Sequence, residues 1–198
     1  MRTATALVLA LALPVAVPLA GCGKTVNRTD PNAVRDLSGN WNATDVNAAA
    51  QALTAQILAA PWYSVFNEKN QRNPRVRVGK VDVRTQDAEF VNVDILTNDL
   101  TRHMTNSLKI DVVADRGQTD ELRTERTEGI QHADPATVKP DGKEQRADYL
   151  LTGTILTQDD SEGGSKQKFY SIDIFLTDIA TAKRVFAGNH KIAKDVER

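Results

Sequence analysis

Beyond residue 36, apolar side chains recur at two spacings, and the spacings divide the chain into helices and strands. Val46, Ala50, Leu53 and Ile57 lie three or four residues apart, the interval that lines one face of a helix. Asp45, or Thr44 before it, can cap that helix, which runs to about Ala60 and is ended by Pro61. Trp62, Tyr63 and Phe66 then offer cover for a core edge. From Arg75 to Val83 the period drops to two, but Val76 and Val78 have the opposite parity to Val81 and Val83. A β-bulge at Gly79-Lys80 reconciles them. A second helix opens at Asn92 or Asp94, with Leu96, Leu100, Met104 and Leu108 forming a stripe every four residues. Ile110 to Ala114 reads as a short strand.

Residues 117–146 are strongly polar. Thr119 to Gln131 reads as a solvated helix capped by Thr119, with Leu122 and Ile130 among its few apolar contacts. Asp134-Pro135 and Lys139-Pro140-Asp141-Gly142 are turns. Three strands follow, Asp148 to Gln158, Lys168 to Asp178 and Arg184 to Lys191, joined by Asp159–Gly164 and by Ile179–Ala182. In the middle strand Tyr170, Ile172, Ile174 and Leu176 alternate with Ser171, Asp173, Phe175 and Thr177, which gives one strongly apolar face. This order predicts an α+β (mixed α/β) fold, a four- to five-stranded sheet packed with helices. No internal repeat is visible.

Ahead of the domain, residues 1–21 carry a single charge, Arg2, and then an alanine, leucine and valine run interrupted by Pro14 and Pro18. A charged start, a short apolar middle and small residues before a cut make a signal peptide. The segment ends in Leu19-Ala20-Gly21-Cys22, which contains the chain's only cysteine and resembles the lipobox of bacterial lipoproteins. That resemblance implies that Cys22 is lipidated and becomes the first residue of the mature chain. A thiol can be alkylated to a stable thioether, and cleavage after Gly21 frees an amine for a further acyl chain. Each buried CH₂ contributes about 0.8 kcal/mol, so two or three chains anchor stably where one does not. Gly23 stands where an aspartate would mark inner-membrane retention, so the implied location is the outer membrane, lipid-anchored, on its periplasmic face. Residues 22–36 show no periodicity and read as a lipidated flexible tether, roughly 50 Å long when fully stretched. The globular domain then takes residues 37–198. No other segment has the run of about 20 apolar residues that a spanning helix needs.

Composition narrows the function classes. The chain carries 25 Lys and Arg against 26 Asp and Glu, a net charge of −1, which becomes −2 when Arg2 leaves with the leader. That balance has no electrostatic footprint for nucleic acid. Aromatic residues make up 5% of the chain, too few for stacking platforms, so recognition falls to mixed polar surface. Gly23-Lys24-Thr25 resembles the tail of a phosphate-binding loop, but the position five before Gly23 is Pro18 instead of glycine. His103, His132 and His190 show no metal-ligand spacing, and His103 lies near the stripe of the second helix. Asp159-Asp160-Ser161-Glu162-Gly163-Gly164 clusters oxygens without the alternating aspartates and distant glutamate of a calcium loop. No serine sits in Gly-x-Ser-x-Gly or Ser-x-x-Lys. Glu121, Glu125 and Glu128, with Arg123 and Arg126, read as a solvated charged face. These residues point to no catalytic site, no cofactor and no metal.

Several phrases carry a more specific likeness. They are Leu37-Ser38-Gly39-Asn40-Trp41-Asn42-Ala43-Thr44-Asp45, Pro61-Trp62, and Val78-Gly79-Lys80-Val81 with Arg84-Thr85. Later come Ala147-Asp148-Tyr149-Leu150-Leu151-Thr152-Gly153, Leu176-Thr177-Asp178-Ile179 with Thr181, and Ile192-Ala193-Lys194. In this order, behind a lipobox, they resemble the LpoB family of outer-membrane lipoproteins over about residues 37 to 194. The resemblance implies a fold similar to the amino-terminal domain of TolB. It also implies a non-enzymatic role: binding the regulatory domain of a class A penicillin-binding protein and activating peptidoglycan synthesis, with no small-molecule substrate. The best-known members have a long tether rich in proline and glutamine, whereas this chain has about fifteen residues there. A periplasmic scaffold or assembly lipoprotein of another envelope complex is the alternative reading, and an envelope hydrolase a third. For the docking surface, the candidates are the acidic hairpin and the polar positions of the last strands, Lys166, Lys168 and Arg184, which also suit ordinary solvated charge.

Overall fold

Three helices lie against one face of a mixed five-stranded sheet in the computed structural model, which describes residues 26–31, 33–85, 91–134, 136–137 and 144–197. Cys22, the leader, Gly23-Lys24-Thr25, Pro135 and the Lys139–Gly142 turn lie outside the described residues. The chain divides into a unit Met1–Asp30, of which residues 26–30 are described and carry no helix or strand, and a unit Pro31–Arg198, which holds the helices and the sheet. Among the described residues, no helix is long and apolar enough to cross a membrane.

Helix α1 spans Ala43–Ala59. Its cap is Asn42, where Thr44 or Asp45 was expected: the Asn42 side chain accepts from the Thr44 and Asp45 amides, and Asp45 Oδ2 accepts from the Asn42 amide at 2.9 Å. Asn and Asp three residues apart form a reciprocal capping box, which is how Asp45 enters the cap without leading it. Pro61 does stop α1, but it also starts a helix, α2 (Pro61–Asn70). Ala60, forced into extended backbone by the following proline, is the junction, and proline's fixed φ suits a first helical position. Trp62 and Phe66, one turn apart, are buried against Tyr149, and Trp62 Nε1 donates to the Ile57 carbonyl at 2.9 Å.

Strand β1 (Arg75–Arg84) leads to helix α3 (Val93–Asn106), strand β2 (Asp111–Val113) and helix α4 (Arg116–His132). The register of β1 shifts between Val78 and Val81, so Val76, Val78, Val81 and Val83 all reach the core, as the bulge reading requires. Leu96, Leu100 and Met104 are fully buried on α3, but Leu108 is 82% exposed. The helix has already closed at Ser107, and Leu108 takes a left-handed φ of 56° past its end, so the apolar stripe stops one turn early. The cap of α4 is Asp115, not Thr119. Asp115 Oδ1 accepts from the Gln118 amide at 2.9 Å, while the Thr119 hydroxyl bonds back to the Asp115 carbonyl. No residue of α4 is buried, and Leu122 and Ile130 are about half exposed.

The strands β3 (Tyr149–Glu162), β4 (Ser165–Asp178) and β5 (Arg184–Val196) are longer than their apolar alternation. Residues expected in the Asp159–Gly164 connection pair in register from Asp159↔Lys168 to Glu162↔Ser165. The turn is only Gly163-Gly164, both at positive φ, which is what a two-residue hairpin demands. The sheet order is β2-β1-β3-β4-β5, with β1 parallel to β2 and β3, and the last two pairs antiparallel. This is an α+β fold. Its core is one cluster in which Leu53, Ile57, Leu96, Leu100, Leu151, Ile155, Tyr170, Ile172, Ile174 and Leu176 are inaccessible to solvent. Gly153 marks a tight strand approach, because a Cβ there would sit 2.8 Å from the Asp173 carbonyl oxygen.

Candidate docking surface

The three basic candidates occupy three different environments. Lys166 lies beside the hairpin tip and pairs with Asp159, its diagonal neighbour on β3. Around it, a shallow pocket of about 400 Å³ is bordered by Asp160, Glu162, Asp195 and Glu197, so that among the described lining residues Lys166 is the one cation in an acidic rim. Arg184 sits at the opposite end, where its guanidinium lies 4.1 Å over the Phe175 ring. Lys166 and Thr177, the β4 partner of Arg184, are separated along β4 by residues 167–176, roughly 35 Å at about 3.4 Å per residue. One partner patch of standard size, about 800 Å², would have to stretch from rim to rim to touch both.

Lys168, expected at the surface, is 7% exposed. Its alternation with Tyr170 places it on the helix-covered face of β4, and its Nζ donates to Asn40 Oδ1 at 2.7 Å. There it belongs to a buried polar network that holds the start of the domain. Tyr170 donates to the Gly39 carbonyl at 2.9 Å. Lys194, from the edge strand β5, donates to Asp45 Oδ2 at 2.7 Å, to Asp36 Oδ1 at 2.6 Å and to the Asn40 carbonyl at 3.1 Å. The hydrogen bond from Lys194, then one from Asn42, holds the Asp36 carboxyl below the usual aspartate range. A lysine pointing inward from an edge strand also discourages pairing with a further strand. The segment Asp36–Asp45 is therefore strapped across the ends of β4 and β5.

On the other face, β3, β4 and β5 present Leu156, Phe169, Phe175 and Ala187 around a polar centre. Asn189 Nδ2 donates to Asp173 Oδ1 at 2.7 Å and to Ser171 Oγ at 2.9 Å. None of α1, α2 and α3 covers this face, since their buried side chains all belong to the single core on the opposite side. At the far end of the sheet, Arg72 clasps Asp148 with two bonds of 2.8 Å, and the Arg75 amide gives a third. Burial raises the Asp148 pKa, but the Arg72 and Arg75 bonds outweigh it, and the carboxyl stays below its ordinary value. Among the described residues there is no cluster of three metal-ligating side chains.

A family model described as peptidoglycan-synthase activator LpoB matches residues 45–192, which is most of the chain and nearly all of the domain just described. The chain belongs to the LpoB family. Its structure is similar to the LpoB C-terminal domain from Salmonella enterica, with 17% identity and a TM-score of 0.44, covering 75% of this chain and 98% of that one. The LpoB C-terminal domain from Escherichia coli gives 15% and 0.43, with 76% and 99% covered. A solution structure of Escherichia coli LpoB gives 14% and 0.40, with 95% and 84% covered. No curated protein matches the chain. In LpoB terms, the phrases that carried the sequence resemblance are packing elements: Trp41 packs at a tilt against Tyr170, Pro61 sets α2, and Asp148 anchors the Arg72 clasp.

Proposed function

We propose that this chain is a non-enzymatic lipoprotein, anchored through Cys22 in the outer membrane and facing the periplasm, that binds and activates a class A penicillin-binding protein. The match of residues 45–192 to a family of peptidoglycan-synthase activators carries this reading, and the lipobox-like Leu19–Cys22 ending supports it. An activator of this kind works by holding the synthase's regulatory domain in the arrangement that favours glycan polymerisation and cross-linking. It can shift that equilibrium only by its differential affinity for the two states, about 1–3 kcal/mol in typical couplings.

Distance constrains the encounter. The Arg35 amide donates to Thr44 Oγ1 and Asp36 is bonded to Lys194, so the tether ends against the domain before Leu37. Cys22 to Val34 then reach at most roughly 45 Å at about 3.5 Å per residue. The synthase's regulatory domain must come within that tether length, plus the span of the globular domain itself, of the outer membrane. Lys166 and Arg184 are the proposed rim contacts, whereas Lys168 acts through the position of Asn40.

The full-length chain in detergent, immobilised and exposed to envelope extract, is expected to retain a class A penicillin-binding protein. Recovery of a different envelope complex without any synthase would favour the scaffold reading, and would sink this one.

A further inference from the structure

Among the described residues, one group of arginines is left without acceptors. Arg77 lies on β1 with its side chain on the face opposite the core, because its neighbours Val76 and Val78 point into it. A cleft of about 460 Å³ runs between Arg77, the first half of α4 and the segment before β3, and Arg116, Arg123 and Arg146 line it too. Among the described residues that line it, the carboxylates are Asp120 and Glu144, and both are committed to Arg123. Glu144 accepts from Arg123 Nε at 2.9 Å and Nη2 at 2.8 Å, and from Arg126 at 3.4 Å; Asp120 accepts from Arg123 Nη1 at 3.0 Å. Arg77, Arg116 and Arg146 have no hydrogen-bonded acceptor among the described residues, and the Arg77 Nε is fully buried without one. A buried donor on a charged group is costly to leave unmade. Among the described residues that line the cleft, four arginines stand against two carboxylates, in a molecule whose net charge is slightly negative.

We infer that this cleft is a docking site for an acidic segment of a protein partner, with a glutamate carboxylate seated against Arg77 and a second acidic group held by Arg116 and Arg146. Guanidinium forks pair bidentately with carboxylates, which gives both orientation and strength. Ala147 and Ile179, the latter 54% exposed, line the same cleft and would pack the methylenes of a glutamate side chain. That mixed lining favours a carboxylate on an aliphatic stem over a bare phosphate. The site is remote from Lys166, which lies at the hairpin tip at the other end of β3, and it does not depend on which envelope protein the chain activates.

Titrating the full chain in detergent with hexaglutamate tests the inference, with the arginine Nε–H resonances as readout. The Arg77 signal is expected to shift saturably, and the affinity to fall at least tenfold in an Arg116→Gln/Arg146→Gln variant. Both replaced residues are exposed, so the core resonances should be unchanged. Inorganic phosphate or a soluble peptidoglycan fragment binding as tightly as hexaglutamate would overturn the acidic-protein assignment. An Arg77 signal that never saturates, or that responds equally in the variant, would overturn the site.

Discussion

Lys194 shows how much one side chain can organise. It sits on an edge strand, at 9% exposure, and touches Asp36, Asn40 and Asp45 at once. Removing one partner of a buried ion pair leaves the other charge uncompensated, at a cost of about 3–5 kcal/mol. Lys194→Met is therefore expected to lower unfolding stability by about that much in urea titrations, and adding Asp45→Asn should restore part of it. An unchanged midpoint in the single variant would show that the strap is not held by this network. Asp148 offers a second test. Its carboxyl, like that of Asp36, titrates below the ordinary 3.8. A depressed folded-state pKa means stability that is complete above 3.8 and lost as pH falls through the lower folded value. Asp148→Asn should cost about 2 kcal/mol at neutral pH and flatten the acid limb of the stability curve below about pH 4. Neither role is legible in the chain: Lys194 and Asp148 stand out there only as parts of family phrases, and their partners lie far off in sequence.

Helices and strands differ in how openly the chain announces them. α1 and α3 are legible because Val46, Leu53, Ile57, Leu96, Leu100 and Met104 must face one core, and that demand writes a helical period into the chain. The bulge in β1 is legible for the same reason, as a break in valine parity. α2 is hidden, although Trp62 and Phe66 stand one turn apart, because Pro61 signals the end of one helix as readily as the start of the next. The outer ends of β3, β4 and β5 are hidden too, because backbone pairing at the hairpin tip needs no apolar alternation. α4 is the opposite case, since it has helical polar spacing but buries nothing. Most helix stability in proteins comes from packing an apolar face, so α4 should open far more readily than its neighbours. Amide hydrogen exchange is expected to show α4 exchanging well before α1 and β4. Leu122→Ser should leave the melting temperature within a degree or two, whereas Leu53→Ala should cost about 2–5 kcal/mol. Equal protection in α4 and α1 would contradict this ranking.

At the scale of the molecule, the unit Pro31–Arg198 is an α+β domain whose start is strapped to β4 and β5. The lipobox-like ending Leu19–Cys22 is visible as a motif, and the family through ordered phrases, but no phrase marks a docking surface, since the phrases resolve into packing elements. The arginine cleft is invisible in one dimension, because Arg77, Arg116 and Arg146 come together only when β1, α4 and the start of β3 are assembled. The most direct measurement is the rate of glycan polymerisation by a purified class A penicillin-binding protein from the same envelope, with and without the full-length chain in one detergent. Activation predicts a severalfold, saturable rise, within the roughly 5–150-fold range of ordinary allosteric coupling. A rate that stays flat while the chain is demonstrably folded, at concentrations well above those needed for binding, would contradict the reading.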